Sequence, residues 1–168
     1  MKRFIASCIF IVFVSIPSLA TTVERLTLDD MVKKAESIVH GKVRSSRTYW
    51  SANGKLILTT TTIDIEETFK GQTGRSVELT TIGGRIGDTT LYVSGMPAFA
   101  TGEDAVVFIE KSAGFSTVVG MSQGKFAVQN GEVSNNVSTI SFADGREGAP
   151  LKMRLQEFKR EISNRLHQ

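Results

Sequence analysis

The chain has 168 residues, 40% of them hydrophobic, with 20 Lys and Arg against 17 Asp and Glu. A single cysteine, Cys8, and only two histidines, His40 and His167, exclude four-cysteine zinc sites and leave a serine nucleophile without a plausible base. The formal charge of +3 overstates the basic balance, because Lys2 and Arg3 sit in a leader-like start; without them 18 basic residues face 17 acidic, too even for a nucleic-acid-binding field.

Met1-Lys2-Arg3, the apolar run Phe4 to Ile16, Pro17 and Ser18-Leu19-Ala20 have the order of a secretory signal peptide with a small-x-small cleavage site. The expectation is cleavage after Ala20, an extracytoplasmic protein (periplasmic or secreted) and no stable membrane anchor afterwards. The apolar run is short for a membrane span. Cys8 leaves with the leader, so the mature protein relies on its core and not on disulfides. The remaining 148 residues suit one domain, 21–149, followed by a C-terminal helix, 150–168.

Thr21 to Arg25 reads as a loose leader. Thr27-Leu28-Asp29-Asp30 is a helix start, with Thr27 as cap and two carboxylates at the positive end of the dipole. Ser37 to Trp50 is a first long strand, with Val39, Gly41 and Val43 on one face and His40, Lys42 and Arg44 on the other. Asn53-Gly54 is a hairpin signal. Leu56 to Phe69 alternates with period two: Ile57, Ile63, Ile65 and Phe69 on one face, Thr60, Thr62, Asp64, Glu66 and Thr68 on the other, Glu67 lying opposite Glu66. Four successive threonines, Thr59 to Thr62, favour strand over helix.

Arg75 to Ile82 is a third strand, Gly83 to Asp88 a tight glycine-rich connection and Thr89 to Val93 a short strand. Ser94 to Asp104 is a loop. Ala105 to Glu110 is apolar throughout, which predicts a strand buried on both faces. Phe115 to Gly120, Lys125 to Gln129 and, after Asn130-Gly131, Glu132-Val133 continue the sheet, with a weaker strand at Val137 to Phe142. Pro150 suits a helix start, and Leu151, Leu155, Phe158, Ile162 and Leu166 make an amphipathic stripe that docks on the sheet.

Few constellations carry chemistry. His40 and His167 lie on different elements and read as surface residues, so no metal and no cofactor is expected. Asp64 and Glu66 share a face without a supporting histidine or arginine and read as solvated. Gly83 to Asp88 lacks the G-K-[ST] ending of a phosphate loop, and Arg85 is its only candidate contact. The first hairpin gathers Lys42, Arg44, Arg47, Tyr49, Trp50 and Lys55, a mixture of cations and aromatics that suits an interface.

Ala35-Glu36-Ser37-Ile38-Val39-His40-Gly41-Lys42-Val43 resembles the opening strand of netrin-like domains, the module of the tissue inhibitors of metalloproteinases. Thr62 to Gly71, ending in Phe69-Lys70-Gly71, resembles their second strand, and Gly102 to Phe108 a later one. The pattern G-G-x-x-G, G-x-P-x-F-x-x-G-E and G-x-x-x-G-x-F, here Gly83–Gly87, Gly95–Glu103 and Gly120–Phe126, is similar to small secreted bacterial proteins with this domain. The resemblance implies a mainly β fold: an OB-type, netrin-like antiparallel barrel with added C-terminal strands, a short N-terminal helix and a C-terminal amphipathic helix. It departs from the inhibitors at the amino terminus, where Thr21 replaces their zinc-chelating cysteine. The expected function is an exported, non-enzymatic binding module for a protein partner, with Lys42, Arg44, Tyr49, Trp50, Arg85, Met96 and Phe99 as contacts. A secreted metalloprotease as partner and a cell-envelope glycan or anionic polymer as ligand are the alternatives.

Overall fold

Two strands of 14 residues, β1 (Ser37–Trp50) and β2 (Ile57–Lys70), form one antiparallel hairpin on which the other elements assemble. The computed structural model describes residues 22–167; the leader, its cleavage site and Thr21 lie outside them. Asn53 Oδ1 accepts from the Lys55 amide and the Ser51 hydroxyl, and Gly54 takes φ 68°, so the Asn-Gly turn forms as its residues predict.

β3 (Ser76–Ile82) pairs with the free edge of β2. β4 (Gly84–Ile86) and β5 (Thr89–Leu91) make a separate small hairpin where the sequence reading placed a connection before a strand. β6 (Asp104–Ser112) pairs with β1. Its far edge is shared by β7 (Phe115–Val118) and β8 (Lys125–Gln129), one run of chain interrupted by a 3-10 turn at Met121–Gly124. β9 (Glu132–Asn135) and β10 (Lys152–Arg154) extend the sheet to the order β10-β9-β8-β6-β1-β2-β3. Helix α1 (Leu28–Lys34) and helix α2 (Leu155–Leu166) complete the fold, and neither is long and apolar enough to cross a membrane.

This sheet is open, and the expected OB-type barrel does not form. Closure needs an unbroken ladder around the ring. Here the far edge of β6 leads into the β8–β9–β10 extension, while β7, four residues long, lies beside β3 without laddering to it. The mainly β class and the two flanking helices are present as expected.

β6 shows why the open sheet is stable. Val106 and Phe108 point to one side and Ala105, Val107 and Ile109 to the other, all buried. On the helix side they join Met31, Val32, Ile38, Phe126, Phe158 and Ile162. Phe108, Phe126 and Phe158 form an aromatic triangle with centroid separations of 5.7, 6.1 and 4.5 Å. On the other side Val39, Val43, Ile63, Leu79 and Val118 fill the curl of the sheet.

Helix α1 is capped as its sequence predicts: Thr27 Oγ1 accepts from the Asp30 amide at 3.1 Å, and Asp30 Oδ2 accepts from the Thr27 amide at 2.9 Å. The Thr27 hydroxyl also donates to Asp30 Oδ2 at 2.6 Å, and this bond, with the one from the Thr27 amide, holds the Asp30 carboxyl below its ordinary pKa. The C-terminal end is secured from β2, where the Lys70 ammonium donates to Val32 O at 2.7 Å. Gly71 follows with φ 82°, and a Cβ there would stand 2.6 Å from Glu36 O, so the Lys-Gly pair that ends β2 is a packing device.

Two expectations at the ends of the chain are corrected. The C-terminal helix begins at Leu155 and not at Pro150, because the free edge of β9 takes Lys152–Arg154 as a strand before the helix starts. Val137 to Phe142 is a loop around a small core of Val137, Ile140 and Phe142, joined by Val23. The supposed loose leader is anchored there: the Val23 amide donates to Ser141 O at 2.9 Å, and Arg25 donates to Asp144 at 2.8 Å with its guanidinium 3.9 Å over the Phe142 ring. Arg25, aided by the Arg146 amide, lowers the Asp144 carboxyl to about 2.

Phe126→Ala empties the centre of the aromatic triangle and should cost about 3–5 kcal/mol in a denaturant titration. Folding lowers the Asp144 pKa, so the Arg25 clamp contributes fully above about pH 4 and is lost as the pH falls towards 2. Amide exchange at Val23 and Ala143 should therefore speed up, relative to intrinsic rates, across that window. In Asp144→Asn the same amides should exchange fast at neutral pH.

Candidate functional site

The ladder between β1 and β2 slips between His40 and Gly41: His40 lies opposite Glu67 and Gly41 opposite Ile65, leaving Glu66 as the extra residue of a bulge. A bulge re-aims the side chains beside it. Glu67 turns to the helix side, where Lys159 of α2 pairs with it, while Glu66 keeps the alternating face it shares with His40. Phe69 moves with Glu67 onto the helix-side core, away from Ile63 and Ile65, with which strict alternation had grouped it. Gly41 permits the slip, since a Cβ there would stand 2.1 Å from Asp64 O.

His40 is not a surface residue. It is 7% exposed, enclosed between β2 and β6, and its Nε2 lies 2.8 Å from Asp104 Oδ1 at the start of β6. One donor atom from each of His40, Glu66 and Asp104 lies within 4.8 Å of the other two. The three residues come from β1, β2 and β6, adjacent strands with β1 in the middle. No sequence spacing announces this group, because His40 and Asp104 are 64 positions apart.

The cluster borders a groove of about 750 Å³ lined by Lys42, Glu66, residues 98–104, Val128 and Gln129. The loop forming one wall is fixed. Gly102 N donates to Val43 O, Val43 N donates to Glu103 O, and the Lys125 ammonium pairs with Glu103 at 2.6 Å while lying 4.8 Å over the Phe99 ring. Behind the same loop is a second cleft of about 230 Å³, between Tyr92, Met96 and Phe99 and the threonine side of the sheet at Thr59, Thr61 and Thr81. The β4–β5 hairpin closes one end of it. Thr59 Oγ1 donates to Gly83 O at 2.7 Å, and a Cβ on Gly84 would lie 2.6 Å from Thr59 Oγ1.

The residues singled out in the sequence therefore divide. Lys42 lies on the groove wall, Phe99 borders both the groove and the cleft, and Met96 lines the cleft. Arg44 is engaged: its guanidinium holds both Asp64 oxygens, Nε at 2.9 Å from Oδ2, which raises its pKa further. Tyr49 is half-buried, its hydroxyl 3.1 Å from Thr60 Oγ1 and its ring under the Arg47 guanidinium. Arg85 braces its own turn by donating to Gly87 O at 2.9 Å. Trp50 stands 46% exposed near the hairpin turn. Tyr92, 73% exposed beside the cleft, was not singled out, since nothing in a short polar strand distinguishes a packed tyrosine from a free one.

Comparisons with protein-family models, with curated proteins and with solved structures give no match, so the netrin-like resemblance rests on the quoted residues alone. Gly41→Ala should cost about 1–3 kcal/mol by overpacking. Its amide spectrum should change most around His40 and Glu66 if the bulge depends on that glycine.

Proposed function

We propose that this chain is an exported, non-enzymatic binding module that engages a protein partner through the face formed by Tyr92, Met96 and Phe99. The observation that carries this reading is Tyr92, a large aromatic left 73% exposed beside an apolar cleft on a braced loop. Aromatic residues and methionine are enriched at interface cores, and aromatics at their energetic centres. The loop is held in advance: Ser122 N donates to Gly95 O at 2.9 Å, and Lys125 Nζ donates to Ala98 O. A pre-ordered loop loses little conformational freedom on docking. Trp50, Leu56 and Ile82, also exposed, add apolar area at the end of the sheet that carries the β1–β2 turn. Export follows from the order of the first twenty residues, and the near-neutral mature charge favours a protein over nucleic acid.

A photo-crosslinking phenylalanine analogue at position 92 of the exported protein should yield one dominant protein adduct by mass spectrometry. That adduct should be competed by unlabelled protein but not by a Tyr92→Ala/Met96→Ala double variant. An adduct with a secreted metalloprotease would give the partner the inhibitor reading requires. Crosslinks confined to envelope polysaccharide, or competition undiminished in the double variant, would refute the protein-docking face.

A further inference from the structure

We propose that His40, Glu66 and Asp104 bind a divalent transition cation, with zinc as the best fit. This site is separate from the Tyr92 face and does not depend on it.

The first argument is geometric. Donors bound to one tetrahedral zinc lie about 2.0–2.2 Å from it and so stand about 3.3–3.6 Å apart. The three donor atoms here already lie within 4.8 Å of one another. Glu66 is exposed and has room to close the difference, while His40 and Asp104, 2.8 Å apart, need only part slightly around the ion. The ligands stand on three neighbouring strands, and the histidine is enclosed by the sheet, so the site is largely organised before any ion arrives.

The second argument is electrostatic. Two carboxylates converge on one imidazole, and a protonated His40 would neutralise only one of them. Among the described residues, the sole basic group within 4.0 Å of either Glu66 or Asp104 is His40 itself. Lys42 lies on the same groove wall but forms no ion pair with them. A dication neutralises the whole set at once.

The third argument is selectivity. Calcium and magnesium prefer all-oxygen shells, whereas an imidazole with two carboxylates suits zinc and its first-row neighbours. Three protein ligands leave at least one coordination position free, and the cluster borders the groove of about 750 Å³. A ligand entering that groove would reach the ion directly.

The test uses the mature exported protein stripped with a chelator, titrated with Zn²⁺ against a chromogenic competitor and with Co²⁺ followed by its d–d absorption. One ion should bind per chain. The affinity should fall as the pH is lowered, because protons compete with the ion for its ligands. Glu66→Gln and Asp104→Asn should each weaken Zn²⁺ by at least about tenfold, the scale on which even an outer-shell partner matters. Glu66 is exposed, so Glu66→Gln should leave the far-UV spectrum and Tm of the metal-free protein unchanged, which separates loss of a ligand from loss of the fold. His167→Ala should bind like the parent. The proposal fails if stoichiometric Zn²⁺ shows no saturable binding, if both carboxylate variants bind like the parent, or if His167→Ala alone abolishes binding.

Discussion

Beyond Ile65 the side chains of β2 change faces because the ladder to β1 slips by one residue at His40 and Gly41. The period of a strand is two, so one inserted residue sends the side chains after it to the other face, until a second shift at Phe69, between the Thr68–Val39 and Lys70–Ile38 pairs, restores the phase. Ile63 and Ile65 pack inside the curl of the sheet. Past the first shift Glu67 reaches Lys159 on α2 and Phe69 packs under the helices, and past the second Lys70 holds the end of α1. Without the slip, Phe69 would lie on the opposite face and the helices would lose the side chains that dock them. Glu66 stays on the face that an unbroken ladder would give it opposite His40, so the slip adds Glu67 to that face while the register itself supplies the carboxylate–histidine pair.

β6 supplies the complementary constraint. Both of its faces lie in core and both of its edges are paired. The chain beyond it divides the far edge, β7 taking one end and β8 the other, with a 3-10 turn between them. That division keeps the sheet open. The arrangement spends the edge on β8, β9 and β10 and builds the platform for α2. The loop of residues 94–104 crosses the other end of the sheet, and its bonds to Val43 and Lys125 turn it into a rigid partition between two depressions. One side is acidic, with Glu66 and Asp104 on its wall in front of the buried histidine. The other is apolar and holds Tyr92 and Met96, with Phe99 bordering both.

Local signals in the chain predicted local structure well. The Thr27–Asp30 cap, the Asn53-Gly54 turn, the two long strands, the doubly buried Ala105 to Glu110 run and the amphipathic stripe of α2 are each set by neighbours a few residues away, and each formed. The misreadings share a different feature. Whether the sheet closes, whether Pro150 opens a helix or precedes a strand, and whether Val23 to Arg25 is loose or clamped all depend on partners far along the chain. An edge strand such as β9 accepts a partner that helix propensity alone would not supply.

Amino-acid order by itself determined the mainly β class, the paired helices at the ends and the disulfide-free core, because strand alternation, capping and helical stripes act within one or two turns of chain. Tertiary structure alone decided that Arg44 and Arg85 are engaged within the fold, that Tyr92 stands free, and that His40 lies buried beside two carboxylates. Those outcomes come from bulges and long-range pairing, which bring together residues 64 positions apart and leave no periodic trace in the sequence.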